Sequence, residues 1–202
     1  MLETVSIMKE PAAADLNQRI AERVRDLRAA RGLSLEAVAT RSGVSRSMIS
    51  LIERGESSPT AVVLERLATG LGVAMASLFD APSPPACPLA RAKEQPPWRD
   101  PQSGSVRRNV SPSGAGSPIQ IVEVHFPPGA RVAYETGPRE PRVHQQVWVH
   151  EGAIDITVGD ERHRLHAGDC LALVLDRPLL YHNPTRKPAR YAVVLCSESL
   201  LR

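Results

Sequence analysis

Arg46, Ser47, Ser50 and Arg54 are spaced so that, at about 100° per residue, their polar groups gather on one side of a helix. Short hydroxyls beside guanidinium groups are suited to hydrogen bonding with base edges in a DNA major groove, which bulkier side chains would obstruct. Leu51 borders that side, while Met48, Ile49 and Ile52 gather on the other, which is expected to pack.

Local signals position these residues. Ser34 and Ser45 stand as N-caps of two short helices, and Gly43 and Gly55 stand where a chain leaving a helix needs positive φ. Val44 before the second cap and Ile49 after it form a hydrophobic staple that sets the entry angle. Asp15 is read as the cap of an earlier helix carrying Leu16, Ile20, Val24 and Leu27 and ending at Gly32. Thr60, after Pro59, caps a later helix with Val63, Leu64, Leu67 and Ala68 that stops before Gly70 and Gly72, and Met75 to Phe79 make a last short turn. The expectation is therefore five helices, with Leu64, Leu67, Leu71, Leu78 and Phe79 in their core. Periodicity alone leaves open an ordinary amphipathic pair with a solvated outer face. Charge distribution favours the DNA reading: the whole chain is only +3, yet every basic residue between Leu16 and Gly55 is an arginine, and arginines outnumber carboxylates there.

The stretch Ser34 to Thr60, SLEAVATRSGVSRSMISLIERGESSPT, resembles the helix-turn-helix of Cro- and phage-repressor-like regulators, the XRE type, whose second helix is the recognition helix. The resemblance implies a double-stranded DNA operator and assigns Ser45, Arg46, Ser47, Ser50, Leu51, Arg54 and Thr60 to the DNA side. Many members begin the first of the two helices with a glutamine that braces the DNA backbone; Leu35 stands there in this chain.

The texture then changes. Residues 1–14 read as a tail, 15–80 as the helical domain, 81–118 as a linker rich in Pro, Ser and Gly with a strand or two at most, and 119–202 as an all-β domain. Within the linker, Arg107 and Arg108 read as a charged loop, and Trp98 is expected to dock on the following domain. Beyond Ile119, short β-branched runs (IQIVEVHF, QVWV, AIDITV, RHRL, CLALVL, YAVVL) separated by turns such as Gly159-Asp160 indicate a small antiparallel barrel or sandwich.

The order Pro128-Gly129, Val149-His150-Glu151-Gly152, His166-Ala167-Gly168-Asp169, Asp176-Arg177-Pro178 and Asn183-Pro184 resembles a cupin, and with the first domain the chain is similar to the cupin-bearing XRE-type regulators. That resemblance implies a homodimer whose barrel holds a small effector. It also tests for a metal. With Gly152 as the glycine of the first cupin motif, the glutamate position is Gln145 and the paired histidines fall within Pro138 to Pro141, where none occurs. The second motif's histidine, counted back from Asn183, falls on Leu179. An amide and a leucine do not make a divalent-ion cage, so no metal and no cofactor are expected, with an off-pattern site from His144 and His182 as the remaining possibility. By alternation, Gln145, Val147 and Val149 share one side of their strand, and Leu179, Tyr181 and Asn183 share one side of theirs; these six line the expected effector pocket. Arg142 and His144 adjoin it, and Arg131, Arg139 and Arg142 at its mouth favour an anionic ligand.

No Ser-His-Asp order, phosphate loop or carboxylate pair points to catalysis. Cys87, Cys170 and Cys196 lack disulfide or zinc spacing and read as buried or incidental thiols, and no apolar run is long enough for a membrane span, so a cytoplasmic protein is expected. The alternatives are a metal-dependent cupin enzyme carrying a DNA-binding domain, and an antitoxin-like regulator whose β domain grips protein.

Overall fold

The structure, a computed structural model, describes residues 11–79, 87–112, 117–137 and 142–197, with side chains from Leu16 onward. The helical domain consists of α1 (Pro11–Ala30), α2 (Leu35–Ser42), α3 (Arg46–Glu53) and α4 (Ala61–Leu71), followed by a 3₁₀ turn at Met75–Phe79. Among the described residues, four α-helices and a 3₁₀ turn stand where five helices were expected. The last segment is little longer than one turn and closes by a Ser77 N–H to Ala74 carbonyl bond of 2.9 Å, which is the tighter i+3 pattern. α1 starts at Pro11, so Asp15 lies inside it and is not its cap. Proline is pre-organised for a first helical position, and the three alanines that follow have the highest helix propensity, so the helix extends upstream.

The other caps form as the residue types require. Ser34 Oγ accepts from Ala37 N at 3.1 Å, Ser45 Oγ from Met48 N at 3.2 Å, and Thr60 Oγ1 from Val63 N at 3.3 Å. Gly43 and Gly55 have φ of 67° and 72°. The expected stop before Gly70 is corrected: α4 continues through it to a cap at Gly72. Gly70 is kept by packing, because a Cβ there would lie 2.7 Å from Ser42 Cβ and 3.0 Å from the Ser42 backbone on α2. Gly70→Ala should therefore destabilise the helical domain by about 1 to 3 kcal/mol through overpacking, despite its better helix propensity. A denaturation midpoint equal to or above that of the parent protein would refute the close approach.

The β domain is two antiparallel sheets. One has six strands in the order β1 (Pro97–Arg99), β2 (Val106–Asn109), β3 (Ile119–Phe126), β10 (Ala189–Ser197), β5 (Val143–Glu151), β8 (Cys170–Val174). The other runs β4 (Arg131–Tyr134), β9 (Leu179–His182), β6 (Ala153–Val158), β7 (Glu161–His166). Val122, Val124, Phe126, Val147 and Val193 from the first face Val132, Ile156, Leu179 and Tyr181 from the second, and all are buried. At the corner from β5 to β6, Gly152 has φ of 75° and a Cβ would stand 2.6 Å from the Pro188 carbonyl, so only glycine fits.

The strand or two expected in the linker form as β1 and β2, and they belong to the barrel. β1 and β2 pair onto β3, with Trp98 opposite Arg107 and Arg107 opposite Val124, so the barrel sheet begins at Pro97 and not near residue 119. Proline is tolerated at the start of an edge strand, which is why a proline-rich run conceals one here. Trp98 docks backwards: its ring meets Phe79 of the helical domain edge-on at 5.6 Å. Polar contacts fasten the same joint. The Asp100 carboxylate, 2% exposed, accepts from Ala61 N at 3.0 Å and Ser103 N at 2.9 Å; Asn109 Nδ2 donates to the Ala76 carbonyl at 2.9 Å; and Arg66 on α4 pairs with Glu135 beyond β4.

Of the thiols expected to be buried or incidental, Cys87 and Cys170 are exposed and Cys196 is half-buried, and all three are free. Among the described residues no helix is long and apolar enough to cross a membrane.

Candidate DNA-reading face and barrel cavity

α3 buries Ile49, Ile52 and the Glu53 carboxylate and leaves Arg46, Ser47 and Arg54 exposed, with Ser50 and Leu51 half-buried. Met48, expected on the packed side, is 37% exposed; the helix turns it toward Ser57, whose hydroxyl lies 3.8 Å from its sulfur. Arg54 Nη1 donates to Ser50 Oγ at 2.6 Å, and its Nε and Nη2 grip Glu56, both at 2.8 Å. Burial offsets little in that exposed pair, and the Arg54 bond holds the Glu56 carboxyl below its usual range. Ser45 and Thr60 are occupied as caps, so their hydroxyls hold the ends of α3 and α4.

The orientation of α3 rests on a pair that the sequence reading passed over. Arg28 of α1 donates from Nε and Nη2 to the two Glu53 oxygens at 2.7 and 2.8 Å, and from Nη1 to the Leu33 carbonyl at 3.1 Å. One guanidinium thus joins α1, the α1–α2 loop and α3 in a planar fork. Charge at helix spacing on α1 was visible in the sequence, but its partner lies 25 residues away.

A cavity of about 160 Å³ lies inside the barrel and against the helical domain. Of the expected pocket residues, Gln145, Leu179 and Tyr181 line it. Val147 and Val149 are fully buried in the sheet core and are not among its walls. Asn183 is also buried but is spent on structure: its Nδ2 donates to the Phe126 carbonyl at 3.2 Å and the Lys187 carbonyl at 2.9 Å, and its Oδ1 accepts from Thr185 N at 3.0 Å. Arg131, Arg142 and His144 are exposed and outside the cavity, because strand alternation turns Arg131 away from Val132 and His144 away from Gln145. Arg139 lies outside the described residues.

Among the described residues, the cationic group that does line the cavity is Arg107, read from sequence as part of a charged loop. Its place on β2, opposite the inward Val124, turns it inward, and its Nη1 donates to the Tyr134 hydroxyl at 2.8 Å. Tyr181 stacks on Tyr191 at 5.8 Å and meets Tyr134 edge-on at 6.1 Å, and Gln145 Nε2 donates to the Tyr181 oxygen. Burial, assisted by Tyr134, pushes the Tyr181 phenol well up, and burial does the same to Tyr191. The stretch Ser105-Val106-Arg107-Arg108-Asn109 carries no apolar alternation to show that Arg107 turns inward; only the ladder to β3 shows it. The third side of the cavity is Val73, Met75 and Phe79 after α4, with Glu65 and Thr69 on α4 itself.

These residues do not fit the metal that many cupins hold. Gln145 is bonded to a phenol, Leu179 is apolar, and His144 and His182 sit on opposite sheets, neither among the cavity walls. The Pro138 to Pro141 positions lie outside the described residues. Among the described residues, no three His, Cys, Asp or Glu side chains gather closely enough to hold an ion.

The sequence matches the helix-turn-helix domain family over residues 19–80 and the cupin domain family over residues 122–196. The HTH-type transcriptional regulator SutR of Escherichia coli (strain K12) is 30% identical over 161 residues, 79% of this chain and 84% of that protein. The uncharacterized HTH-type transcriptional regulator y4dJ of Sinorhizobium fredii is 38% identical over 64 residues, 32% of this chain and 83% of its own length. A crystal structure of an HTH_3 family transcriptional regulator from Vibrio cholerae matches with a TM-score of 0.75 at 25% identity, covering 93% of this chain and 99% of that one. A capped α2–α3 pair that leaves a basic face in solvent, a two-sheet barrel joined to it, and relatives alike over both halves lead to one assignment: the chain belongs to the XRE-type helix-turn-helix transcriptional regulators that carry a C-terminal cupin domain.

Proposed function

We infer that this regulator binds a two-fold-symmetric operator as a homodimer in the cytoplasm, acts as a repressor, and answers to a small molecule held in the barrel cavity. The observation that carries the sensing half is the shared wall: the cavity is lined by barrel strands and by the segment leaving α4, so its occupant touches both domains. A ligand regulates only if it binds the DNA-competent and incompetent arrangements with different affinity, and a cavity at a domain joint is where such a difference arises. The DNA half is supported by one exposed reading helix per chain, which calls for two copies on two half-sites. No catalytic role is read for the barrel, because Gln145 and Leu179 occupy metal-ligand positions.

Arg46→Ala should weaken specific operator binding by about 1 to 3 kcal/mol and relax preference at one base pair of each half-site. The check is fluorescence anisotropy at fixed salt on an operator taken from a genome-wide binding map. Unchanged affinity and base preference would show that α3 does not read DNA through this face. A two-fold operator bound by one chain alone would remove the dimer.

A further inference from the structure

Arg107 lies in a cavity whose walls combine Val122, Val124, Phe126, Val132 and Leu179 with the polar groups of Gln145, Tyr134 and Tyr181 and, on the α4 side, Glu65. Burial weighs most on its charge, followed by the neighbouring Tyr134, Tyr191 and Tyr181, and its hydrogen bond goes to a phenol oxygen. Those three phenols are held above their ordinary range by burial, so they remain neutral at physiological pH and do not compensate the guanidinium. Among the described residues no carboxylate is paired with Arg107, and Glu65 on the α4 wall has a partner of its own. A half-buried guanidinium bonded to a neutral phenol, with the Glu65 carboxylate on the far wall rather than in contact with it, is stabilised further when an occupant brings a negative charge to it directly.

The arrangement also defines that occupant's shape. Tyr134 accepts from Arg107 and Tyr181 accepts from Gln145, so each phenol keeps its proton to donate. One planar fork flanked by two hydroxyl donors matches one carboxylate, whereas a phosphate dianion would call for more cationic groups than the described residues of the cavity offer. A dry cavity of roughly 150 Å³ takes a benzene-sized molecule, so about 160 Å³ suits a body of roughly six to ten non-hydrogen atoms.

We propose that the barrel cavity is a monocarboxylate site, with Arg107 binding the carboxylate, Tyr134 and Tyr181 donating to it, and a compact apolar body lying against Val73 and Met75 of the helical domain. This deepens the sensor reading and rests on the cavity being a ligand site.

The test is calorimetric titration of the full chain with propionate through octanoate, benzoate and phenylacetate, each beside its primary amide, and with methyl phosphate. The titrations are run on the parent protein, Arg107→Gln and Arg131→Gln. At least one carboxylate should bind the parent protein more than tenfold tighter than its amide. Arg107→Gln should lose about 10- to 100-fold for that acid, as expected for a charge-assisted bond, and little for the amide, while Arg131→Gln changes neither. If Arg107→Gln does not fold, the acid-against-amide ratio on the parent protein decides alone. Binding of no acid, equal binding of acid and amide, or preference for methyl phosphate would overturn the site. Operator affinity measured with the same compounds separates the two readings. An acid bound through Arg107 that leaves operator affinity unchanged upholds the site and removes the sensor; a neutral compound that changes operator affinity equally in Arg107→Gln upholds the sensor and removes the site.

Discussion

Replacing Glu53 with alanine is expected to lower the stability of the helical domain by about 3 kcal/mol, near the lower end for breaking a buried ion pair. The carboxylate is 9% exposed and Arg28 opposite it 21% exposed, so the stranded guanidinium regains only part of its hydration. For a domain of this size that loss corresponds to roughly 12 to 24 °C in Tm, read on the transition of the helical domain. The two domains need separate probes, since one two-state fit does not describe them. Operator binding should fall with folding, because the same fork orients α3. Replacing both Arg28 and Glu53 with leucine should recover most of the lost stability, since an apolar pair of similar volume removes both desolvation costs. A Glu53→Ala variant within about 1 kcal/mol of the parent protein would mean that the fork is surface decoration and that Ile49 and Ile52 alone seat the reading helix.

Asp100→Ala should release the joint between the domains. The carboxylate accepts the first amide of α4 and two groups of Ser103 while almost wholly buried, and its charge faces a helix N-terminus. Bonds to a charged acceptor contribute about 1.5 to 3 kcal/mol each and are not additive, so about 3 kcal/mol of docking is a reasonable expectation. Hydrogen exchange at the Ala61 amide should accelerate roughly a hundredfold, and Asp100→Asn should fall between the two. Under the sensor reading, the same variant should bind operator with an affinity that no cavity ligand changes, because the cavity then no longer reports to α4. An Ala61 amide that exchanges as slowly as in the parent protein would dispose of the latch.

Asp100 and Arg107 show what the composition of the linker leaves undetermined. Both sit in a stretch whose prolines and serines look unstructured, and both acquire their roles from partners far along the chain, Ala61 for one and the β3 ladder and Tyr134 for the other. The arginines chosen from the sequence for the cavity, Arg131 and Arg142, lie next to the right strands but on their outer side. A period of two tells which residues share a side; which side is inner depends on the packed partner sheet.

What the sequence by itself determined is what local chemistry controls: the Ser34, Ser45 and Thr60 caps, the positive φ of Gly43 and Gly55, the amphipathic α3, most of the barrel strands, and the family resemblance that those spacings carry. Each depends on groups within a few residues of one another, so the pattern and its cause lie in the same short window. Tertiary structure alone decided the continuation of α4 through Gly70, the Arg28–Glu53 fork, the recruitment of β1 and β2 into the barrel, and the inward turn of Arg107 beside three phenols against the helical domain. In each of these a side chain's role comes from a surface contributed from elsewhere in the chain, by close approach, by a shared charge or by a strand ladder, and neither composition nor periodicity encodes which distant surface arrives.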